Sequence, residues 1–167
     1  GEENSSPVPC LVHRYPDRAL FISTNYCSTH CRHCMRKRRW NADVTSKEEL
    51  YKAAEYIAQT SEIREVLISG GDPLLLPEEK LSEIIEVFSS LDNIEILRIG
   101  SRLPVVLPQR FTKDFCQLLA KSKKPIWLAT HFNHPQELTA EAAQAIDNLL
   151  KQGIPCINQT VLLKGVN

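Results

Sequence analysis

A chain of 167 residues with 43% hydrophobic content is long enough for one domain with its own core. Its 20 basic and 20 acidic residues balance, which argues against a partner chosen by bulk charge, such as nucleic acid or an anionic membrane. No apolar run approaches the ~20 residues that span a bilayer, and the polar opening "GEENSSPVPC" lacks signal-peptide character, so a cytoplasmic setting is expected.

Residues 1–17 are expected to form an N-terminal arm and residues 18–167 a single α/β unit. The first predicted strand is "ALFIST" (19–24), followed by the loop "NYCSTHCRHCMRKRR" (25–39) with Cys27, Cys31 and Cys34. Apolar positions Leu50, Ala54, Ile57 and Ala58 mark the first helix, with Thr45 and Glu48 as a candidate capping box. "EVLISG" (65–70) is the second strand, and Leu81, Ile84, Ile85 and Phe88 mark the next helix. "EILRIG" (95–100) precedes a helix marked by Phe115, Leu118 and Leu119 and capped by Thr112. "IWLAT" (126–130) leads to a helix with Ala142, Ile146, Leu149 and Leu150, opened by Thr139 and closed by Gly153. "INQTVLL" (157–163) is the fifth strand.

Short, apolar, β-branched strands suit a sheet buried on both faces, and strand–helix alternation implies parallel pairing with right-handed crossovers. Periodicity alone leaves a doubly wound sheet and a partial barrel open. Polar groups gather after successive strands: Asn25 and the cysteines, Gly70-Gly71-Asp72, Ser101-Arg102, and His131-Phe132-Asn133-His134. That gathering favours a barrel wall with chemistry at its C-terminal rim. "VLLKGVN" stands at a strand edge without a closing helix, so a piece of a longer protein is expected.

The six cysteines are expected to be reduced in a chain that needs no disulfides to fold. Cys116 and Cys156 read as small core hydrophobes. Three thiolates at C-x3-C-x2-C are suited to wrapping one metal centre from a single loop. Structural zinc would need a fourth ligand, such as His30 or His33. An iron–sulfur cubane held by three thiolates would instead keep one iron open for a ligand.

This spacing after a first strand closely resembles the radical SAM superfamily. "HRYPDRALFIST" (13–24), "CRHCMRKRR" (31–39), "ISGGDPLLL" (68–76), "RIGSRLPVVLPQR" (98–110), "THFNHP" (130–135) and "NQTVLLKGVN" (158–167) further resemble, in order, motifs of the lysine 2,3-aminomutase family. The resemblance implies a partial (β/α) barrel of about five parallel strands. It implies that Cys27, Cys31 and Cys34 ligate a 4Fe–4S cluster whose open iron chelates S-adenosylmethionine (SAM). His33, Ser69, Gly70, Gly71, His131 and Gln159 would contact SAM. Arg14, Tyr15 and Arg18 would hold the phosphate of pyridoxal 5′-phosphate (PLP), and Arg36 the substrate carboxylate. The activity implied is migration of an amino group from C2 to C3 of an amino acid, started by a 5′-deoxyadenosyl radical. Free lysine, glutamate or a lysyl residue on a protein would fit as substrate, with flavodoxin or ferredoxin as electron donor and a possible homo-oligomer. Lys37, Arg38 and Arg39 read as a solvated basic face. The family's glycine-rich segment with the PLP lysine has no counterpart here, and Lys164 in "LLKG" is no substitute.

Overall fold

The computed structural model describes residues 5–37, 44–165 and 167. Arg38 and Arg39 lie outside the described residues, while Lys37 is exposed.

The elements are β1 (Leu11–Tyr15), β2 (Arg18–Thr24), α1 (Lys47–Gln59), β3 (Glu65–Gly70), α2 (Glu78–Ser89), β4 (Ile96–Gly100), α3 (Leu103–Val106), α4 (Lys113–Ala120), β5 (Ile126–Thr130), α5 (Ala140–Lys151) and β6 (Cys156–Asn158). They build one six-stranded sheet in the order β1-β2-β3-β4-β5-β6. Strands β2 to β6 run parallel, and β1 joins β2 antiparallel. Strand order that follows chain order is the winding of a barrel wall, because a doubly wound sheet reverses direction part-way along.

Alternation along the strands shows which face the helices cover. Phe21, Val66, Ile68, Leu97, Ile99, Ile126 and Leu128 are buried, and pack with Leu50, Ile57, Leu81, Ile84, Phe115 and Leu149 in one core. Their neighbours Leu20, Leu67, Arg98 and Trp127 face the other way and are only half-buried or exposed. The expected burial on both faces therefore gives way to a sheet with helices on one side. Ala58 and Leu150 likewise turn out to be exposed, because Ala53 and Ala145 take the buried positions on α1 and α5.

Three local features differ from the sequence pattern. The capping box is Ser46 with Glu49: Ser46 Oγ accepts from Glu49 N at 3.2 Å, and Glu49 Oε2 accepts from Ser46 N at 2.8 Å. Thr45 is drawn off by the sheet, its hydroxyl donating to the Ile22 carbonyl. The last strand is shorter than 157–163, since Asn158 and Thr160 side chains bond Phe132 and Val161 N donates to Asn133 Oδ1. Side-chain acceptors thus replace the ladder and turn the chain from the sheet. Leu11–Tyr15 adds an antiparallel strand whose five-residue pattern gave no separate strand signal. The caps at Thr112 and Thr139 are as expected, and Gly153 adopts a φ of 75° just past α5.

Candidate functional site

Parallel pairing brings the ends of β2, β3, β4 and β5 to one rim of the sheet. The cysteine loop leaves β2 there. Cys27, Cys31 and Cys34 are free thiols, each half-buried. A turn closed by Cys34 N donating to Cys31 O at 3.0 Å sets the last two side by side. Two donors already face sulfur: Arg36 N to Cys34 Sγ at 3.3 Å and Arg102 Nη1 to Cys31 Sγ at 3.3 Å. Burial pushes the Cys27 thiol up to about 11, with Asp72 and the sulfurs of Cys34 and Cys31 adding to the effect. The three sulfurs therefore share one electrostatic neighbourhood. Among the described residues no three His, Cys, Asp or Glu side chains close on a single ion. Three thiolates match the donor chemistry of a cubane with three irons held by the protein and one left open.

The β3 end closes against this loop through its glycines. Gly70 has φ +119°, a region that favours glycine. A Cβ on Gly71 would stand on the Tyr26 carbonyl, so only glycine lets the backbones touch. Gly71 N donates to Thr24 O at 2.5 Å and Asp72 N to Tyr26 O at 2.6 Å, fastening the loop to β3. Ser69 offers its carbonyl to Ser23 Oγ at 3.0 Å.

Asp72 is the buried hub of the rim. It accepts from Ser101 Oγ at 2.7 Å, Arg102 N at 2.9 Å and Leu74 N at 3.3 Å. Burial pushes its carboxyl above the ordinary range, and these donors oppose that shift. From the β5 end, the His131 ring lies 6.5 Å from that of His33 at an interplanar angle of 30°. Burial lowers the His131 pKa, His33 and Arg102 lower it further, and a hydrogen bond to the Gln159 backbone works the other way. Among the described residues, buried Thr130 Oγ1, His131 Nδ1 and Asn133 Nδ2 have no hydrogen-bond partner. Buried donors and acceptors without partners beside two imidazole rings suit a polar, flat ligand such as a nucleoside.

The rim thus unites Cys27, Cys31, Cys34, His33, Ser69, Gly70, Gly71, His131 and Gln159, with Arg36 two residues beyond Cys34. Arg14, Tyr15 and Arg18 are placed elsewhere. They lie at the β1–β2 turn, at the start of β2, and all are exposed. Arg18 is closed onto Asp17 by contacts of 2.8 and 3.1 Å. Sequence reasoning missed Glu137, which accepts from Arg102 Nη2 at 2.6 Å and from Asn133 N at 2.7 Å. Among the described residues no helix is long and apolar enough to cross a membrane.

The profile of the Radical SAM superfamily matches residues 21–167. An L-lysine 2,3-aminomutase from Fusobacterium nucleatum is 52% identical across 99% of this chain and 39% of its own length. A second, from Methanococcus maripaludis, gives the same identity and coverage. A glutamate 2,3-aminomutase from Clostridioides difficile is 40% identical across 100% of this chain and 40% of its own. The chain spans about 40% of the length of these curated relatives.

Proposed function

Because the chain belongs to the radical SAM superfamily, we propose that it forms the cluster- and SAM-binding part of a PLP-dependent 2,3-aminomutase acting on lysine or a related amino acid. The observation that carries this reading is the juxtaposition, on one rim, of the three-cysteine loop, the Gly70–Gly71 edge and the His33–His131 pair. The names of the relatives support the reaction class.

When bound, the cluster and SAM supply a carbon radical that removes hydrogen, and PLP supplies a carbonyl for the substrate amine. Cys27, Cys31 and Cys34 hold the cluster and leave one iron open. Gly70 and Gly71 bring backbone groups close enough to meet the methionyl amine without a side chain between them. His33 and His131 flank the adenine, with Gln159 anchoring the β6 side. Arg36 receives the substrate carboxylate in a guanidinium fork. Arg14, Tyr15 and Arg18 receive the PLP phosphate at the far end of the uncovered sheet face. A flavodoxin or ferredoxin supplies the electron, and the protein works in the cytoplasm.

The test is anaerobic reconstitution of the full-length protein with iron and sulfide, followed by dithionite and SAM. About four irons per chain are expected, with 5′-deoxyadenosine released and, with L-lysine and PLP present, β-lysine formed. Stoichiometric zinc in a folded, iron-free protein would sink the radical reading. Cleavage of SAM without amino migration for any amino acid tested would leave a PLP-free radical reaction. Closure of Arg18 onto Asp17 is the observation that keeps that second reading in view.

A further inference from the structure

We propose that Arg102 is a positioning residue for the cysteine loop, donating to the Cys31 sulfur and thereby raising the reduction potential of the cluster held there. The inference rests on the cluster reading above and goes beyond it to a residue outside the ligand loop.

Three contacts hold Arg102, two of them through its guanidinium. Its backbone nitrogen is held by Asp72 Oδ2 at 2.9 Å. Nη2 is held by Glu137 Oε1 at 2.6 Å, and Nη1 is left aimed at Cys31 Sγ, 3.3 Å away. Glu137 is itself located by Asn133 N at 2.7 Å on its other oxygen. The side chains of Arg102 and Glu137 are only 20% and 22% exposed, so water screens the arrangement weakly. A neutral thiol is a poor acceptor, whereas a metal-bound thiolate is a good one. The contact therefore gains most once Cys31 is a ligand. The planar fork serves a carboxylate and a sulfur at the same time, a task one ammonium performs badly. A hydrogen bond to a ligand sulfur draws electron density from the iron and favours the reduced, more negative cluster. Glu137 offsets much of the net charge, so the directional bond carries the effect.

The competing account is a plain structural ion pair between Arg102 and Glu137, and the two differ in the potential. In full-length, anaerobically reconstituted protein without SAM, Arg102→Gln is expected to keep its iron and to show a lower midpoint potential in an EPR-monitored redox titration. Arg102→Lys should recover part of the loss. An unchanged potential at unchanged iron content overturns the inference. A second measurement uses the wild-type protein grown on arginine labelled with nitrogen-15 in the guanidinium. Pulsed EPR of the reduced cluster should show a nitrogen-15 coupling that vanishes in Arg102→Lys. A wild-type cluster without that coupling overturns the proposal even where Arg102→Gln fails to hold iron. A wild-type protein that takes up no cluster overturns this inference together with the proposed function, which separates the two failures.

Discussion

Cys27, Cys31 and Cys34 differ from the other cysteines in sharing one short loop at the rim, and iron loading should divide the same way. Alanine at any one of the three is expected to abolish loading of about four irons, measured as iron and sulfide per chain. Alanine at Cys10, Cys116 or Cys156 should leave loading intact. Burial is the main force that pushes those three thiols up to about 11. At about pH 8 roughly a thousandth of each is thiolate, so a brief iodoacetamide pulse should leave them unmodified by mass spectrometry. His131 gives the second residue-scale prediction. Its folded pKa is depressed, so the folded state prefers neutral imidazole. Stability from this group is fully present above the unfolded value near about 6.5 and is lost as pH falls through the folded value. Thermal midpoints should therefore drop on acidification below about pH 6.5, and His131→Phe should remove part of that drop; parallel curves for the two proteins would refute it. Cys27, Cys31 and Cys34 were legible as a group in sequence because all three sit within one short loop. Glu137 was not, since its contact with Arg102 joins residues 35 positions apart on different loops.

Strands and helices were legible wherever apolar spacing dominates, as in α2, where Leu81, Ile84, Ile85 and Phe88 are all buried. They were less so where a side chain competes with the backbone. Thr45 satisfies the N-cap pattern as well as Ser46 does, yet its hydroxyl bonds the Ile22 carbonyl and leaves the cap to its neighbour. Asn158 and Thr160 shorten β6 in the same manner. Asn93 shows how much one such residue holds between elements. Its amide nitrogen lies 3.0, 3.2 and 2.9 Å from the carbonyls of Ile57, Thr60 and Ile63, tying the end of α1 to the approach of β3. Asn93→Ala leaves those carbonyls without this donor and is expected to destabilise the protein by about 1–3 kcal/mol. Urea unfolding measures it, and a loss under about 0.3 kcal/mol would show that water takes over the amide's role.

Across the whole molecule, chain-order winding does two jobs. It puts all the helices on one face of the sheet, and it collects the β2–β5 ends at one rim. The other face stays open, lined by Leu67, Arg98 and Trp127. Arg14, Tyr15 and Arg18 stand at the start of β2, which is seven residues long, so about 20 Å of strand separates them from the cysteine loop. A cofactor whose phosphate rests on those residues lies along the open face and reaches toward the rim only through its substrate. That geometry decides the fate of Lys164. This lysine follows β6 on the rim side and is exposed, while the phosphate and the aldehyde of PLP belong to one small ring. With the phosphate on Arg14 and Arg18, Lys164 is at the wrong end to hold the aldehyde. In the full-length protein, borohydride reduction with PLP followed by peptide mapping is therefore expected to place one pyridoxyl group on a lysine outside residues 1–167. Arg14→Gln together with Arg18→Gln should weaken PLP binding at least tenfold, since two charge-assisted donors are lost from the phosphate. A single stoichiometric adduct on Lys164, or PLP binding indifferent to both arginines, would put the cofactor at the rim instead and remove the open face from the substrate's path.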